Sequence, residues 1–519
     1  MRILSKTKSI CPTCKRPVDA FYVEAEDGVR FRKTCPAHGT VSSVAADDPE
    51  AFSAWMRAPI VNVAPRQALT TGAEGECPLH CGVCERHLQT ACCVLLDVTD
   101  RCNQSCPWCF ARAETDASAR DPSLAQIERM YDRLIELGEE RKFNIQLSGG
   151  EPTVRDDLAE IIAMGKRKGF EYIQLNTNGR RLALEDGCAE RLKEAGASVA
   201  FLQFDGLRDD IYEALRGAPL LDVKLRAVER CRRAGLPVTL VPTLLKGVNL
   251  DGVGDLIRYM LDNVDVVKGI HFQPASFFGR HPQASAEETA FAEGLRGGAG
   301  KTARADERGG DAAARDYENR VTMFDVMREI VAQSGGLFSR EDMIPITAGH
   351  PLCCFSGSFL RERDGSVKSL MRAAQREQGA SCCCEEPDPL EIIRRDRDFV
   401  LNKWDMDAAD AGETGAGATA GEGATGAGGG CCAAGTDGER GADETGATAG
   451  AGGADETGDA LDFDAFISYV RRNRFTLTGM AFQDVNTLDA ERLKRCRVQV
   501  FSRDERLIPF CAYNSIYRA

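Results

Sequence analysis

Between residues 94 and 272, short apolar runs alternate with amphipathic stretches. VLLDV at 94–98 has the length and composition of a buried strand. Ser123 and Gln126 stand at capping-box spacing and open a helix running to about Leu137. NIQL at 144–147 is the next strand, followed by helix 158–168, strand 172–175, helix 188–195 and strand 199–204. Helix 221–234, strand 238–241, helix 254–263 and strand 268–272 complete the series. Strands separated by helices of this length lie parallel, joined by right-handed crossovers. Six such repeats predict an α/β fold, a partial (β/α)6 barrel whose chemistry sits on loops at the strand carboxyl ends.

The pattern fails in two places. Residues 283–316 include EGLRGGAGKTARADERGG, which has the look of an insertion or mobile loop. Residues 408–460 are almost all Gly, Ala, Thr, Asp and Glu, with ADETG at both 442–446 and 454–458. This stretch cannot bury enough apolar surface to offset its ordering entropy, so a disordered linker is expected, with Cys431 and Cys432 as incidental thiols. It carries ten acids against one base, and so accounts for nine of the fourteen net negative charges of the 519-residue chain. The acidic balance argues against nucleic acid as a partner. No apolar run reaches the roughly 18 residues of a transmembrane segment. The amino-terminal residues lack the apolar core of a secretory signal. A cytoplasmic protein is expected, and its 22 cysteines are then metal ligands rather than disulfides.

Those cysteines fall into sets. Cys102, Cys106 and Cys109 follow the first barrel strand at C-x3-C-x2-C spacing. Three thiolates on one loop can hold three irons of a [4Fe–4S] cluster and leave the fourth open to a ligand. A zinc knuckle or closed cluster is the alternative on spacing alone. Cys77, Cys81 and Cys84 repeat the spacing, but no strand precedes them. They are read as an auxiliary cluster closed by Cys92 or Cys93, with His80 and His87 as solvent-facing or supporting residues. At the amino terminus, Cys11, Cys14, Cys35 and His38 form C-x2-C and C-x2-H knuckles, a tetrahedral site for zinc or a mononuclear iron. Cys353, Cys354, Cys382, Cys383, Cys384, Cys496 and Cys511 are scattered through the carboxyl-terminal third and can converge on one cluster. Cys188 and Cys231, on expected helices, are read as buried apolar residues.

The C-x3-C-x2-C loop with Trp108 before its last cysteine, and Gly149-Gly150-Glu151 at the second strand end, resemble the radical S-adenosylmethionine (radical SAM) superfamily. In that family the Gly-Gly-Glu motif holds the methionyl ammonium of SAM. By the resemblance, polar residues at successive strand ends bind the cofactor: Gly149, Gly150, Glu151, Asn176, Asn178, Gln203, Asp205, Thr243 and Gln273. His271, at the last strand, is either a core histidine or part of this rim. The order of knuckles, CPLHCGVC, LLDVTDRCNQSCPWCFA, HPLCC and the tail from GMAFQDVN to PFCAYN is similar to the subfamily that includes archaeal tetraether lipid synthase. Members have also been labelled dihydro-hydroxymethylpterin dimethyltransferases. The likeness implies a SAM-binding [4Fe–4S] cluster, auxiliary [4Fe–4S] clusters and a mononuclear iron, with Cys353, Cys496 and Cys511 as auxiliary ligands. It implies a one-electron donor such as flavodoxin or ferredoxin, and a small-molecule or lipid substrate. Lipid-chain coupling heads the possibilities, ahead of pterin-like methylation, peptide modification and a non-catalytic iron–sulfur scaffold. For a lipid channel the apolar candidates are Phe277, Phe278, Phe324, Met327, Ile330, Phe338, Met343 and Ile344. The expected division is 1–58 (metal knuckles), 59–93 (auxiliary segment), 94–280 (barrel), 281–407 (insertion and cysteine region), 408–460 (linker) and 461–519 (auxiliary-cluster segment).

Overall fold

Buried strands that end in polar residues account for the centre of the chain in the computed structural model. The structure describes residues 2–65, 77–113, 121–138, 142–282, 320–346, 349–370 and 463–518. The stretches 283–316 and 408–460, and Cys382, Cys383, Cys384, Cys431 and Cys432, lie outside the described residues.

The barrel strands are β5 (Cys93–Thr99), β6 (Asn144–Gly149), β7 (Ile173–Thr177), β8 (Val199–Gln203), β9 (Val238–Val241) and β11 (Val267–Pro274), with the short β10 (Thr243–Leu244) beside β11. The six strands neighbour one another in chain order and pair in parallel. Helices α2 (Leu124–Leu137), α3 (Leu158–Arg167), α4 (Arg180–Leu184), α5 (Cys188–Glu194), α6 (Asp209–Arg216), α7 (Leu221–Ala234) and α8 (Val253–Asp262) return the chain. Ser123 and Gln126 form the expected capping box, each side chain bonding the other's backbone N–H. Gly235 ends α7 in the left-handed conformation (φ +64°), where a glycine carries no steric cost. Cys188 and Cys231 are buried apolar-face residues of α5 and α7, as expected.

The carboxyl-terminal segment extends the sheet at both ends. Beyond helix α9 (Met323–Gln333), β12 (Ile344–Pro345), β13 (Cys354–Arg361) and β14 (Val367–Ser369) come α10 (Phe463–Asn473), β15 (Arg474–Met480), α11 (Ala490–Lys494), β16 (Val498–Phe501), β17 (Leu507–Pro509) and the single turn α12 (Phe510–Ala512). Strand β15 runs parallel beside β11, and β16 runs parallel beside β5. Only 17 residues separate β15 from β16, a reach of at most about 60 Å when fully extended. Gly479 and Met480 of β15 and Val498 of β16 line one cavity together with residues of the barrel strands, so the sheet curves and both its edges face a common interior. None of these edge strands was expected from the sequence.

At the amino terminus, β1 (Ile3–Ile10), β2 (Pro17–Ala25), β3 (Gly28–Cys35) and β4 (Gly39–Ala46) form an antiparallel sheet, followed by α1 (Pro49–Met56). Its apolar face continues into the main core: Tyr22 lies 5.3 Å from Phe52, and Phe52 6.1 Å from Phe324. The same face is tied to the carboxyl-terminal segment by Asp489. The two carboxylate oxygens of Asp489 accept from Thr7 Oγ1 (2.6 Å) and Tyr22 Oη (2.9 Å), and Asp489 also caps α11. Nearby, the buried Lys33 donates to Ser9 Oγ and to the carbonyl of Val485. Asp489→Ala leaves Tyr22 Oη buried without an acceptor and Thr7 Oγ1 with only the Lys8 carbonyl at 3.4 Å. It should lower stability by about 3 kcal/mol, seen as a lower thermal midpoint; an unchanged midpoint would show that this anchor contributes nothing.

Among the described residues, no helix is long and apolar enough to cross a membrane.

Candidate active site and metal centres

The loop after β5 carries the second cysteine triplet and is bonded on three sides. Cys109 exchanges two backbone hydrogen bonds with Arg280 (2.9 and 2.8 Å), and Arg280 Nε donates to the Cys106 carbonyl at 2.8 Å. Arg216 Nη1 donates to the Trp108 carbonyl at 3.0 Å. The Trp108 ring packs on Phe277 and His281. On the third side, Asn178 Nδ2 donates to Asn103 Oδ1 at 2.7 Å.

The Gly-Gly-Glu turn lies against the start of the same loop. Gly150 and Glu151 N–H groups donate to the Thr99 and Arg101 carbonyls, both at 2.8 Å. A Cβ at Gly149 would lie 2.1 Å from Thr99 O, and one at Gly150 2.1 Å from Arg101 O; Gly149 also has φ +123°. Only glycine permits this approach. Glu151 is 1% exposed and accepts from Thr153 N–H, Thr153 Oγ1, Thr177 Oγ1 and Asn178 N–H. Its carboxylate thus joins the ends of β6 and β7 before meeting any ligand.

These residues line a cavity of about 730 Å³. Its wall includes Cys102, Cys106 and Cys109, and every residue expected at the strand ends except Asp205. Asp205 is a correction. It is fully buried, and its two oxygens accept from Arg216 Nε and Nη2, both at 2.7 Å, while Oδ1 also accepts from Thr243 N–H. Its charge is used to neutralise Arg216, the cation beside the cysteine loop. Burial opposes the charge on Arg216, but the Asp205 carboxylate more than compensates and raises its pKa.

The cavity accepts the group that the cysteines imply. Burial pushes the Cys102 thiol up to about 12, and Cys106 is raised for the same reason; thiolates here need cationic iron. Gln104 Nε2 is buried with no hydrogen-bond partner among the described residues, a donor beside the triplet. His271 also lines the cavity, its Nδ1 2.8 Å from Thr478 Oγ1 and its ring 5.2 Å from Phe201.

The other cysteines fall elsewhere. Cys11, Cys14, Cys35 and His38 place their ligand atoms within 4.8 Å of one another. His38 Nδ1 lies 3.6 Å from Cys11 Sγ and 3.5 Å from Cys35 Sγ, and Cys14 Sγ is 3.8 Å from Cys35 Sγ. Metal–sulfur bonds of about 2.3 Å in a tetrahedron give edges of this length. Burial opposes the Cys35 thiolate, but hydrogen bonds from His38 and the Ala37 and His38 N–H groups lower it to about 6.

Cys77 and Cys81 are raised by burial and then by their neighbours in the first triplet, Cys77 to about 11. The Tyr517 hydroxyl accepts from the Cys81 N–H and donates to the Pro78 carbonyl. Cys92 and Cys93, expected to close that triplet, stand on the cavity wall, with Sγ atoms 3.6 Å apart. The Cys496 thiol is pushed up by burial and then by Cys511 and Cys353, which lie within electrostatic reach of it. Cys354, next in sequence, lines the cavity instead. His87 is buried rather than solvent-facing; its Nε2 donates to the Cys496 carbonyl, and burial lowers its pKa to about 4.

Sequence reasoning missed Arg216, Arg280 and Gln104. Arg216 and Arg280 lie far from the loop in the chain, and no motif marks them. Gln104 sits inside the motif, at a position the spacing leaves open.

The model of the Radical SAM superfamily matches residues 96–260, and that of the HMPTM N-terminal zinc ribbon domain matches residues 3–47. Over 529 aligned residues the chain is 30% identical to the 7,8-dihydro-6-hydroxymethylpterin dimethyltransferase of Methanocaldococcus jannaschii, covering 99% of this chain and 94% of that one. It is 28% identical over 190 residues to the GTP 3′,8-cyclase of Listeria monocytogenes, covering 36% of this chain and 55% of that one. The Fe-coproporphyrin III synthase of Methanosarcina barkeri is 34% identical over 155 residues, covering 30% of this chain and 37% of that one. The chain belongs to the radical SAM superfamily, enzymes that use a [4Fe–4S] cluster and SAM. Within it, the chain falls in the branch of the full-length methanogen relative.

Proposed function

We propose that this enzyme joins two apolar carbons of its substrate, breaking one C–H bond on each: two SAM molecules, each reduced by one electron from the donor, would take the two hydrogens as 5′-deoxyadenosine. When bound, the reduced cluster supplies one electron to SAM, whose homolysis gives methionine and a 5′-deoxyadenosyl radical that abstracts hydrogen. Cys102, Cys106 and Cys109 would hold this cluster. Gly149, Gly150, Glu151, Asn176, Asn178, Gln203, Thr243 and Gln273 would hold SAM. The sets Cys77, Cys81, Cys84 and Cys353, Cys496, Cys511 would hold auxiliary clusters, and Cys11, Cys14, Cys35 and His38 a zinc ion. A one-electron donor such as flavodoxin or ferredoxin would serve the clusters.

One observation carries the substrate reading. Beyond the residues assigned to SAM, the cavity wall includes Leu95, Phe201, Phe355, Met480, Phe482 and Phe510, beside polar residues such as Gln146 and Thr478. A pocket with such walls binds apolar groups and keeps water from a radical. Among the eight channel candidates, Phe278 and Ile344 line this cavity. Phe324, Met327, Ile330, Phe338 and Met343 belong to the main core, and Phe277 packs on Trp108. The apolar wall thus comes mostly from the barrel interior and the carboxyl-terminal strands.

An alkyl chain is the substrate this wall favours. Methylation of a pterin-like heterocycle is the second reading, supported by the name of the full-length relative and by Gln146, His271 and Arg497 on the same wall. Anaerobically reconstituted enzyme given a perdeuterated alkyl lipid should place deuterium in 5′-deoxyadenosine. Absence of that transfer, with a methylated heterocycle formed from a pterin, would overturn the alkyl reading in favour of the second.

A further inference from the structure

Lys224, on α7, is fully buried beneath the strand ends that face the cavity. Its Nζ lies 2.5 Å from the Asn178 carbonyl and 3.1 Å from Gln203 Oε1, and 5.9 Å from the centre of the Tyr212 ring. Asp205 and Glu151 add favourable charge, while Arg216 opposes it. Burial nonetheless brings the ammonium down to about 8, so it remains largely charged at neutral pH.

An ammonium group has hydrogens to give and no lone pair to offer. The Gln203 atom that meets it must therefore be the carboxamide oxygen. In most glutamines the two ends of the amide are interchangeable choices; here a cation decides. With Oε1 held below, the NH2 of Gln203 is the end left to the cavity, whose wall Gln203 lines. No acceptor for that NH2 is found among the described residues. On the neighbouring strand, Asn176 Oδ1 accepts from Gln174 Nε2 at 2.7 Å, which leaves the Asn176 NH2 toward the same space.

We infer that Lys224 is a positioning residue for the cofactor: it fixes the Gln203 amide with its hydrogens toward the cavity, so that bound SAM meets it with an acceptor. The complementary groups on SAM are its carboxylate, its ribose oxygens and its adenine ring nitrogens. The inference rests on the reading that Gln203 touches SAM, and three variants separate the two claims.

The measurements use the full chain, reconstituted anaerobically, with SAM binding by equilibrium dialysis and turnover by 5′-deoxyadenosine formation. Lys224→Met should raise the Kd and KM for SAM about tenfold, the cost of one misdirected hydrogen bond. Its kcat should stay within about twofold, since the change acts on binding. Iron content and the spectrum of the reduced cluster should not change. Gln203→Glu keeps an acceptor for Lys224 and adds an ion pair, so the fold is retained, but it removes both amide hydrogens. It too should bind SAM about tenfold more weakly. If the Lys224–Gln203 contact were merely structural, Gln203→Glu would bind SAM normally, and that result overturns the inference even should Lys224→Met fail to fold. Normal SAM binding by Gln203→Ala would instead remove Gln203 from the cofactor site. Weakened binding by Gln203→Ala with normal binding by Lys224→Met would overturn the role of Lys224 alone.

Discussion

Replacing Cys102, Cys106 and Cys109 together with Ala is expected to abolish reductive formation of 5′-deoxyadenosine. The same change at Cys77, Cys81 and Cys84 should remove about four irons per chain yet leave part of the SAM cleavage. The difference follows from position. The second triplet rims the cavity beside the Gly-Gly-Glu turn. The first triplet packs instead behind Tyr517 and Arg506, which bond its backbone at Pro78 and Cys81. Dithionite-driven turnover followed by chromatography of the nucleoside products, with iron per chain measured in parallel, makes the comparison. Cleavage that survives in the Cys102, Cys106, Cys109 variant and vanishes in the other would reverse the assignment.

Arg216→Met should be the most damaging single substitution outside the cysteines. It leaves the Asp205 carboxylate fully buried without its cation, a loss of ~3–5 kcal/mol. It also removes the donor to the Trp108 carbonyl, between two of the cysteines. A lower thermal midpoint and loss of iron from the loop of Cys102, Cys106 and Cys109 are expected together. Adding Asp205→Asn to Arg216→Met should recover part of the stability, because the uncompensated charge is gone, but not the loop. A double variant no more stable than the single one would show that the pair is not the source of the cost.

How much could be read in advance depended on the range of the interaction. Helix α2 follows from Ser123 and Gln126 three residues apart, and the cysteine loop and Gly-Gly-Glu turn from spacings of two or three. All are local. The sequential order of β5 to β11 was also legible, because each crossover holds only one or two short helices. The pairing of β15 and β16 with opposite edges of the sheet was not, because those partners lie some 200 and 400 residues away in sequence. Asp205 misled for a related reason: its place at a strand end was local, while its partner Arg216 arrives from α6. The amino-terminal metal set was fully visible as two knuckles, whereas the ring contacts that join that sheet to Phe52 and Phe324 were not.

Those edge strands order events in time. While the chain is being made, residues 93–274 can form their parallel array, but its two edges stay unpaired until 474–501 have emerged. Open edges of this kind invite pairing with other chains. The cavity wall lacks Met480, Phe482 and Phe510 throughout that interval, and the loop of Cys77 and Cys81 lacks Tyr517. Iron loaded early would therefore meet an unfinished, water-filled pocket. Cofactor assembly is therefore expected to follow synthesis of the last strand, and a chain halted before residue 474 should be a substrate for chaperones rather than for cluster insertion.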